Sequence, residues 1–380
     1  MIKRILFLAL SAFLTLGIFG QTFRLNQMGY YNSSQKLAII TESGNRTFEV
    51  INTATGKSEL KDSLSEAQQW SYSGENVCVA NFSKLTKTGT YTIKVGNKAS
   101  QPFSISDKNV YTDIARWTIK SFYLWRSSST IDKQYAQFGK LNYARTSGHT
   151  DNKVIIHSSA ATPKRPAGTI VSAPKGWYDA GDYNLYTVNA SLAEFPLLQL
   201  YENYSSIYDT LSLNIPESNN NFPDLLDEVK WETDWLLGMI NPEDGSVYHK
   251  LTSLSFCGMV MPSSDLLTRY IVGRSTTAAL DFAAMMAKAS RTFKKFESIY
   301  PGYADSMLRM AVKAYNWAKA NPNMYFTNPT DVSTGGYGDT NANDEFVWAQ
   351  CELFLSTGDI SYLNAAYIGN QTFGIPTWGN

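Results

Sequence analysis

From about residue 21 to 105 the chain is cut into short apolar runs separated by turn residues. Lys36-Leu-Ala-Ile-Ile40, Thr47-Phe-Glu-Val-Ile51, Asn76-Val-Cys-Val-Ala80 and Thr90-Tyr-Thr-Ile-Lys-Val95 are the clearest. Several alternate apolar and polar positions, which sends one face of a strand inward and the other to water. Gly96-Asn97-Lys98 reads as a turn ahead of Pro102-Phe-Ser-Ile105. Short strands at regular spacing predict a small β-sandwich. Ser106-Asp107-Lys108 reads as the linker out of it.

From about Val110 the apolar period changes from two to that of a helix. Pro223 and Asp224 suit a first helical turn, and Leu225, Leu226, Val229, Leu236 and Ile240 follow near one face. Ala278, Phe282, Ala283, Met285, Met286 and Ala289 form a second stripe, and Met307, Ala311, Val312, Tyr315 and Ala318 a third. Phe346, Val347, Glu352, Leu353 and Leu355 mark a fourth helix, ended by Gly358. Further helices are expected over about 110–126 and 184–203. The pattern predicts an all-α domain with long, aromatic-rich connections.

Length and composition narrow the class. A chain of 380 residues accommodates two domains with cores of their own. Its 33 basic and 33 acidic residues leave no net charge and no basic stripe, which argues against a nucleic-acid partner. Aromatics are abundant, with 23 Tyr, 19 Phe and 9 Trp, a supply that suits sugar faces as well as cores. Lys3 and Arg4 precede an uncharged apolar run to about Gly20, the form of an export signal over residues 1–20. The expected location is therefore secreted, periplasmic or at the cell surface, with no membrane partner after signal removal. Cys78, Cys257 and Cys351 are odd in number and far apart, so they read as small core residues rather than a disulfide framework.

The candidate chemistry lies in Gly176-Trp-Tyr-Asp-Ala-Gly-Asp-Tyr-Asn184. Asp179 and Asp182 stand three residues apart around Gly181, where the backbone can turn tightly or approach a ligand. Trp177, Tyr178, Tyr183 and Tyr186 surround them. A bare Asp-x-x-Asp is more often a cap or a solvated surface. Among aromatics it points to carboxylates that hold and deprotonate a water beside a sugar.

This run resembles the signature of glycoside hydrolase family 9, the inverting cellulase family. Phe222-Pro-Asp-Leu-Leu-Asp-Glu-Val-Lys-Trp231 resembles the family's proline-aspartate helix, and Asp244-Gly-Ser-Val-Tyr-His-Lys250 its histidine-bearing loop. Thr334-Gly-Gly-Tyr-Gly-Asp339, followed by Asp344-Glu-Phe-Val-Trp348, resembles a later loop. Phe23-Arg-Leu-Asn-Gln-Met-Gly-Tyr30 is similar to the start of the immunoglobulin-like module that precedes many of these catalytic domains.

The resemblance implies a multidomain chain. An N-terminal all-β immunoglobulin-like sandwich over 21–105 is followed by an all-α (α/α)6 barrel of the six-hairpin glycosidase type over 106–380. It implies Asp182 as general base, Asp179 as the residue that positions the water, and His249 as a substrate contact. Tyr178 and Trp348 are candidate stacking platforms, or core. Asp344 and Glu345 resemble residues that help hold a structural calcium ion, or are acids at a helix N-terminus. No cofactor is expected for the chemistry itself. The implied substrate is cellulose or another β-1,4-glucan, as polysaccharide or oligosaccharide.

Two departures stand out. Ser127-Ser128-Ser129 and Gly148-His149 occupy the place where some relatives carry zinc-binding cysteines, and with His149 and His157 alone zinc is not expected. The family's general acid is a glutamate near the C-terminal end of the catalytic domain, and the sequence to Asn380 offers no match to it. Six or seven helices are expected after residue 106, against twelve in a full barrel. The 380-residue chain is thus expected to be an incomplete barrel of weak or no activity. The alternatives are a non-catalytic carbohydrate-binding protein, or an exo-acting glucosidase or glucosaminidase on the same fold.

Overall fold

The computed structural model describes residues 22–41 and 44–367, and the export-signal segment lies outside them. The chain divides into two compact units, 1–115 and 116–380.

The described residues of the first unit form a sandwich of ten strands. One sheet has the order β1-β3-β7-β6, built from Phe23–Leu25, Leu37–Thr41, Glu75–Asn81 and Gln68–Trp70. The other runs β2-β10-β8-β4-β5, built from Tyr30–Tyr31, Phe103–Ser106, Gly89–Val95, Thr47–Asn52 and Ser58–Ser63, with β9 (Lys98–Ala99) paired to β8. The alternation seen in the sequence decides what is inside. Ala38, Ile40, Cys78 and Ala80 from one sheet meet Phe48, Val50, Tyr91 and Ile93 from the other in a single core. Cys78 is a core residue as expected, whereas Cys257 and Cys351 are only half-buried. The sandwich also exposes two neighbouring aromatics that the strand pattern gave no sign of, Trp70 and Tyr72.

The second unit is mainly helical. Its helices are α1 (Thr112–Trp125, entering from the first unit), the one-turn α2 (Lys133–Ala136), α3 (Thr187–Tyr208), α4 (Asp224–Gly238), α5 (Thr276–Phe293), α6 (Tyr303–Ala320), α7 (Asn343–Thr357) and α8 (Ile360–Tyr367). α5 is the centre of the packing and is buried along almost its whole length. It can be surrounded because six of its residues are alanine, which lets α3, α6 and α7 approach its backbone. Ser275 caps its N-terminus by accepting the Ala278 N–H. α7 ends at Gly358, whose φ of 71° and N–H to Phe354 O close the helix as the sequence predicts. Leu355 is the exception in its stripe and faces solvent.

The expectation of an all-α domain needs correction. A five-stranded sheet of order β14-β13-β17-β16-β15 lies among the helices, built from Ile170–Val171, Val154–Ile156, Tyr270–Arg274, Tyr248–Thr252 and Leu185–Tyr186. A two-residue hairpin, β11 (Gln137–Phe138) with β12 (Leu141–Asn142), stands apart from it. Most of these strands are too short to show a period. β16 is buried at every position, so it shows no alternation either.

Candidate active site

The Asp-bearing run is the connection between β14 and β15, and its backbone is pinned before the aspartates are reached. Ser127 N–H donates to Gly176 O at 2.7 Å and Tyr178 N–H to Trp125 O at 3.0 Å, tying it to the segment that leaves α1. From α4, Glu232 Oε2 accepts the Trp177 N–H at 2.6 Å. Gly176 is required at its position: its φ is 84°, and a Cβ would meet Leu185 Cδ2 at 2.3 Å. Gly181 behaves differently from the sequence reading. It has open space around it and no positive φ, so it leaves the floor between the aspartates uncovered rather than making a forced turn.

The two carboxylates are held in unequal ways. Asp179 has both oxygens occupied, Oδ1 by Asn189 Nδ2 at 2.8 Å and Oδ2 by the Tyr337 hydroxyl at 2.9 Å. Asp182 takes two donors on one oxygen. Asn184 Nδ2 and the Tyr186 hydroxyl both reach Oδ2 at 2.7 Å, while Oδ1 is buried and has no hydrogen-bond partner among the described residues. Burial pushes the proton affinity of Asp179 up, the bonds from Asn189 and Tyr337 pull it down, and the charge on Asp182 adds a smaller upward push. Tyr186 is itself driven far upward by burial and by Asp182, so its phenol remains a donor.

Each donor is oriented from behind. Asn184 Oδ1 accepts from Ser253 N at 3.0 Å and from Arg269 Nη1 at 3.2 Å, which fixes the amide so that its Nδ2 faces Asp182. Arg269 is held in turn by Asp151. The Tyr186 hydroxyl accepts the Gly335 N–H at 3.1 Å, and Tyr337 stacks edge-on against Tyr186 at 4.7 Å. A Cβ on Gly335 would meet Tyr337 Cε2 at 2.6 Å and the Tyr186 hydroxyl at 3.1 Å, which is why the loop carries glycine there.

The other expected site residues are placed as follows. Tyr178 is buried beside Asp179, its hydroxyl 3.0 Å from His149 Nδ1. His249 does not reach the cleft in this structure, contrary to expectation. Its ring is fully buried, stacked at 3.9 Å on Phe326, with Nδ1 on Ser275 Oγ and Nε2 on Gly336 O, both at 2.8 Å. Gly336 O can only accept, so Nε2 carries the hydrogen. Burial lowers the proton affinity of the ring to about 4, and His249 is a neutral strut for the 334–338 loop. Trp348 is half-buried and packs edge-on against Phe195 at 5.3 Å, away from the cavities that Asp179 and Asp182 line.

Asp344 is exposed at the start of α7 and Glu345 half-buried. Glu345 Oε2 is buried without a partner. Burial, followed by Asp344 and Asp339, pushes the Glu345 carboxyl up to about 8. Among the described residues no three His, Cys, Asp or Glu side chains converge closely enough to hold a metal by themselves. His149 is engaged with Tyr178 and Asp265, and His157 with Ser159 and Asp331.

Asp179 joins two openings. One, of about 260 Å³, runs past Trp125, Trp177, Tyr178 and Asn189; the other, of about 400 Å³, is bounded by Asp182, Phe256, Met259 and Tyr337. Glu232 also lines the first, but its Oε2 is spent on the Trp177 N–H, which makes it a brace for the motif. The sequence reading does not reach Asn184, Asn189 or Tyr337 as site residues. Asn184 closes the Asp-bearing run itself, and Tyr337 sits inside Gly-Gly-Tyr-Gly, so both had a local signal; Asn189 had none.

Two carboxylates set among aromatic rings on a helical domain fit what a glycoside hydrolase needs to handle a water beside a sugar. The chain belongs to glycosyl hydrolase family 9, whose model matches residues 111–380, and the cellulase N-terminal Ig-like domain matches residues 19–100. It is 42% identical over 365 residues to a xyloglucan-specific endo-beta-1,4-glucanase of Bacteroides ovatus, covering 94% of this chain and 61% of that protein. It is 32% identical over 354 residues to endoglucanase D of Acetivibrio thermocellus, covering 91% of this chain and 53% of the other. Among solved structures, a Bacteroides ovatus family 9 protein superposes with a TM-score of 0.88 over 94% of this chain and 66% of its own, at 42% identity. A metagenome-derived family 9 endoglucanase gives 0.80 over 91% and 63%, at 30% identity. The chain thus spans less than two thirds of these relatives. Its fold is an immunoglobulin-like sandwich followed by a helical domain that matches the family's (α/α)6 barrel.

Proposed function

We propose that this chain belongs to an exported endo-β-1,4-glucanase that cleaves cellulose-type or xyloglucan-type β-glucans with inversion. The observation that carries the reading is the inequality of the aspartates. Asp182 keeps Oδ1 free of donors while Asp179 is tied at both oxygens. Asp182 Oδ1 takes a proton from water, and Asp179, through its remaining lone pairs, holds that water in line. The oxygen–C1 bond forms on the face opposite the departing sugar, the glycosidic C1–O bond breaks, and the configuration inverts. The leaving oxygen needs a proton from an acid, and none of the described residues is assigned that role. Trp125, which is exposed, is the ring best placed to meet a sugar, because it lines the opening that leads to Asp179, with Tyr178 buried behind it. The relatives' names supply the substrate class, and the basic residues and apolar run at the N-terminus support export. The anomeric form of the first product, followed by proton NMR, tests the reading: α supports it and β refutes it.

The same proposal places a calcium ion at Asp344 and Glu345, completed by loop carbonyls and water. The unpartnered Glu345 Oε2 supports it, as does Asp281. That side chain is fully buried, its proton affinity raised by burial and then by Glu345, Asp344 and Asp339. At a hundredfold excess over its dissociation constant the ion adds about 2.7 kcal/mol, or about 5–10 °C in Tm for a domain of this size. Calorimetry with calcium and after chelation measures this. Equal Tm values in the two, or the same gain in Glu345→Gln, would count against the site.

A further inference from the structure

The Asp pair is fastened to the 334–338 loop, so whatever holds that loop acts on the chemistry. Two successive residues of β16 do so. His249 donates to Gly336 O, and Lys250 meets the residues just before it. Lys250 is completely buried, and its ammonium spends its three hydrogens on Asn328 Oδ1 at 2.7 Å, Gly335 O at 2.7 Å and Thr334 Oγ1 at 3.1 Å. Asn328 Nδ2 turns back onto Thr334 O at 2.7 Å and closes the clamp. Among the described residues no carboxylate bonds this ammonium, although a buried cation without a counter-ion is costly.

What the clamp delivers is catalytic geometry. The backbone of Gly335 faces both ways: its carbonyl accepts from Lys250, and its N–H donates to the Tyr186 hydroxyl that holds Asp182 Oδ2. Two residues on, Tyr337 has a strained φ of 44° and donates to Asp179. We propose that Lys250 is a positioning residue for the aspartate pair: it fixes the loop that orients Tyr186 and Tyr337, and its ammonium stands 5.8 Å from the Tyr186 ring. Burial lowers the proton affinity of Lys250 to about 8, and the charge of Asp182 is the opposing influence, so the two groups sense each other. The other titratable groups facing Asp182 are Asp179, Tyr186, Tyr337 and Cys257, and Arg269 stands behind Asn184. This inference rests on the function proposed above.

The test uses the full-length enzyme on a soluble β-glucan. Lys250→Met is expected to lower kcat about 30–100-fold with KM within about twofold, as misplacement of a catalytic group does. Lys288→Met, at a buried lysine between α3 and α5 paired with Glu202, is the control for lost stability and leaves both unchanged. Asn328→Ala keeps the charge but opens the clamp; it lowers kcat about 5–10-fold, and it carries the test if Lys250→Met does not fold. Amide hydrogen exchange of 334–337 rises in both clamp variants. Wild-type kcat in Lys250→Met, or wild-type kcat and exchange in Asn328→Ala, overturn the proposal. An enzyme that cleaves no β-glucan refutes the proposed function instead, and the exchange data then decide the role of Lys250 alone.

Discussion

Asp182→Asn in the full-length enzyme lowers kcat on β-glucan by about 10²–10⁴-fold, the contribution typical of a positioned base. KM for a short oligosaccharide stays within about twofold, because the sugar contacts are untouched. The reasoning is geometric. The asparagine is isosteric and its carbonyl oxygen can sit where Oδ2 sits, keeping the bonds from Asn184 and Tyr186. Its amide nitrogen then takes the position of Oδ1, the oxygen that has no donor, and a nitrogen with no lone pair to offer cannot accept a proton there. Asp179→Asn is the milder change. One of its oxygens already accepts from an amide and the other from a phenol, and the Tyr337 hydroxyl can reverse its role to accept from the new amide. A Michaelis–Menten series with both variants checks the assignment. Asp182→Asn with more than a tenth of the wild-type kcat, or with less effect than Asp179→Asn, shows that the base is elsewhere.

The largest stability effect is expected at Arg126, behind the same motif. Arg126 is 1% exposed, and its guanidinium is held by Glu217 at 2.9 and 3.2 Å and by Glu228 at 2.6 Å, between the rings of Tyr123 and Trp231. Glu228 is fully buried. Burial raises its proton affinity to about 7 even though Arg126 pulls the other way. Arg126→Met strands that carboxylate and costs about 3–5 kcal/mol, a fall of about 10 °C in Tm for a domain of this size. The sign of the pH dependence follows. A carboxyl whose proton affinity is higher folded than unfolded stabilises the fold below about pH 4.5, and that contribution is lost as pH rises through its folded value. Without Arg126 that value moves higher still, so the loss in Tm is greater at pH 8 than at pH 5. Thermal melts at the two pH values measure this. A loss under about 1 kcal/mol at pH 8 would mean that the pair is not what holds this region together.

Much of this arrangement was legible in the sequence, for a physical reason. The sandwich strands are exposed on one side, so Phe48 and Val50 or Tyr91 and Ile93 announce an inner face by alternating with polar residues. α5 and α6 carry long apolar stripes. The sheet of the helical unit was hidden because β16, Tyr-His-Lys-Leu-Thr, is buried on both faces and puts a histidine and a lysine inside. Those polar residues are buried because the 334–338 loop supplies their carbonyl partners, from more than eighty positions away in the chain. Long-range satisfaction of this kind leaves no local period. The same fact explains His249: its neighbours in the chain suggest a sugar contact, but Ser275 and Gly336 consume both ring nitrogens. Asp179 and Asp182 were legible because the aromatics that wall them lie beside them in the chain. The distinction between them was not, since it depends on Asn189 and Tyr337 for one and on Asn184 and Tyr186 for the other.

The central claim is that Asp182 activates a water that attacks opposite the leaving sugar. The most direct measurement is proton NMR of the full-length enzyme acting on a β-1,4-gluco-oligosaccharide or xyloglucan oligosaccharide, with spectra taken before mutarotation. The account predicts that the α-anomer of the new reducing end appears first and the β-anomer grows later. Initial release of the β-anomer, which requires a covalent sugar–enzyme intermediate, would contradict it.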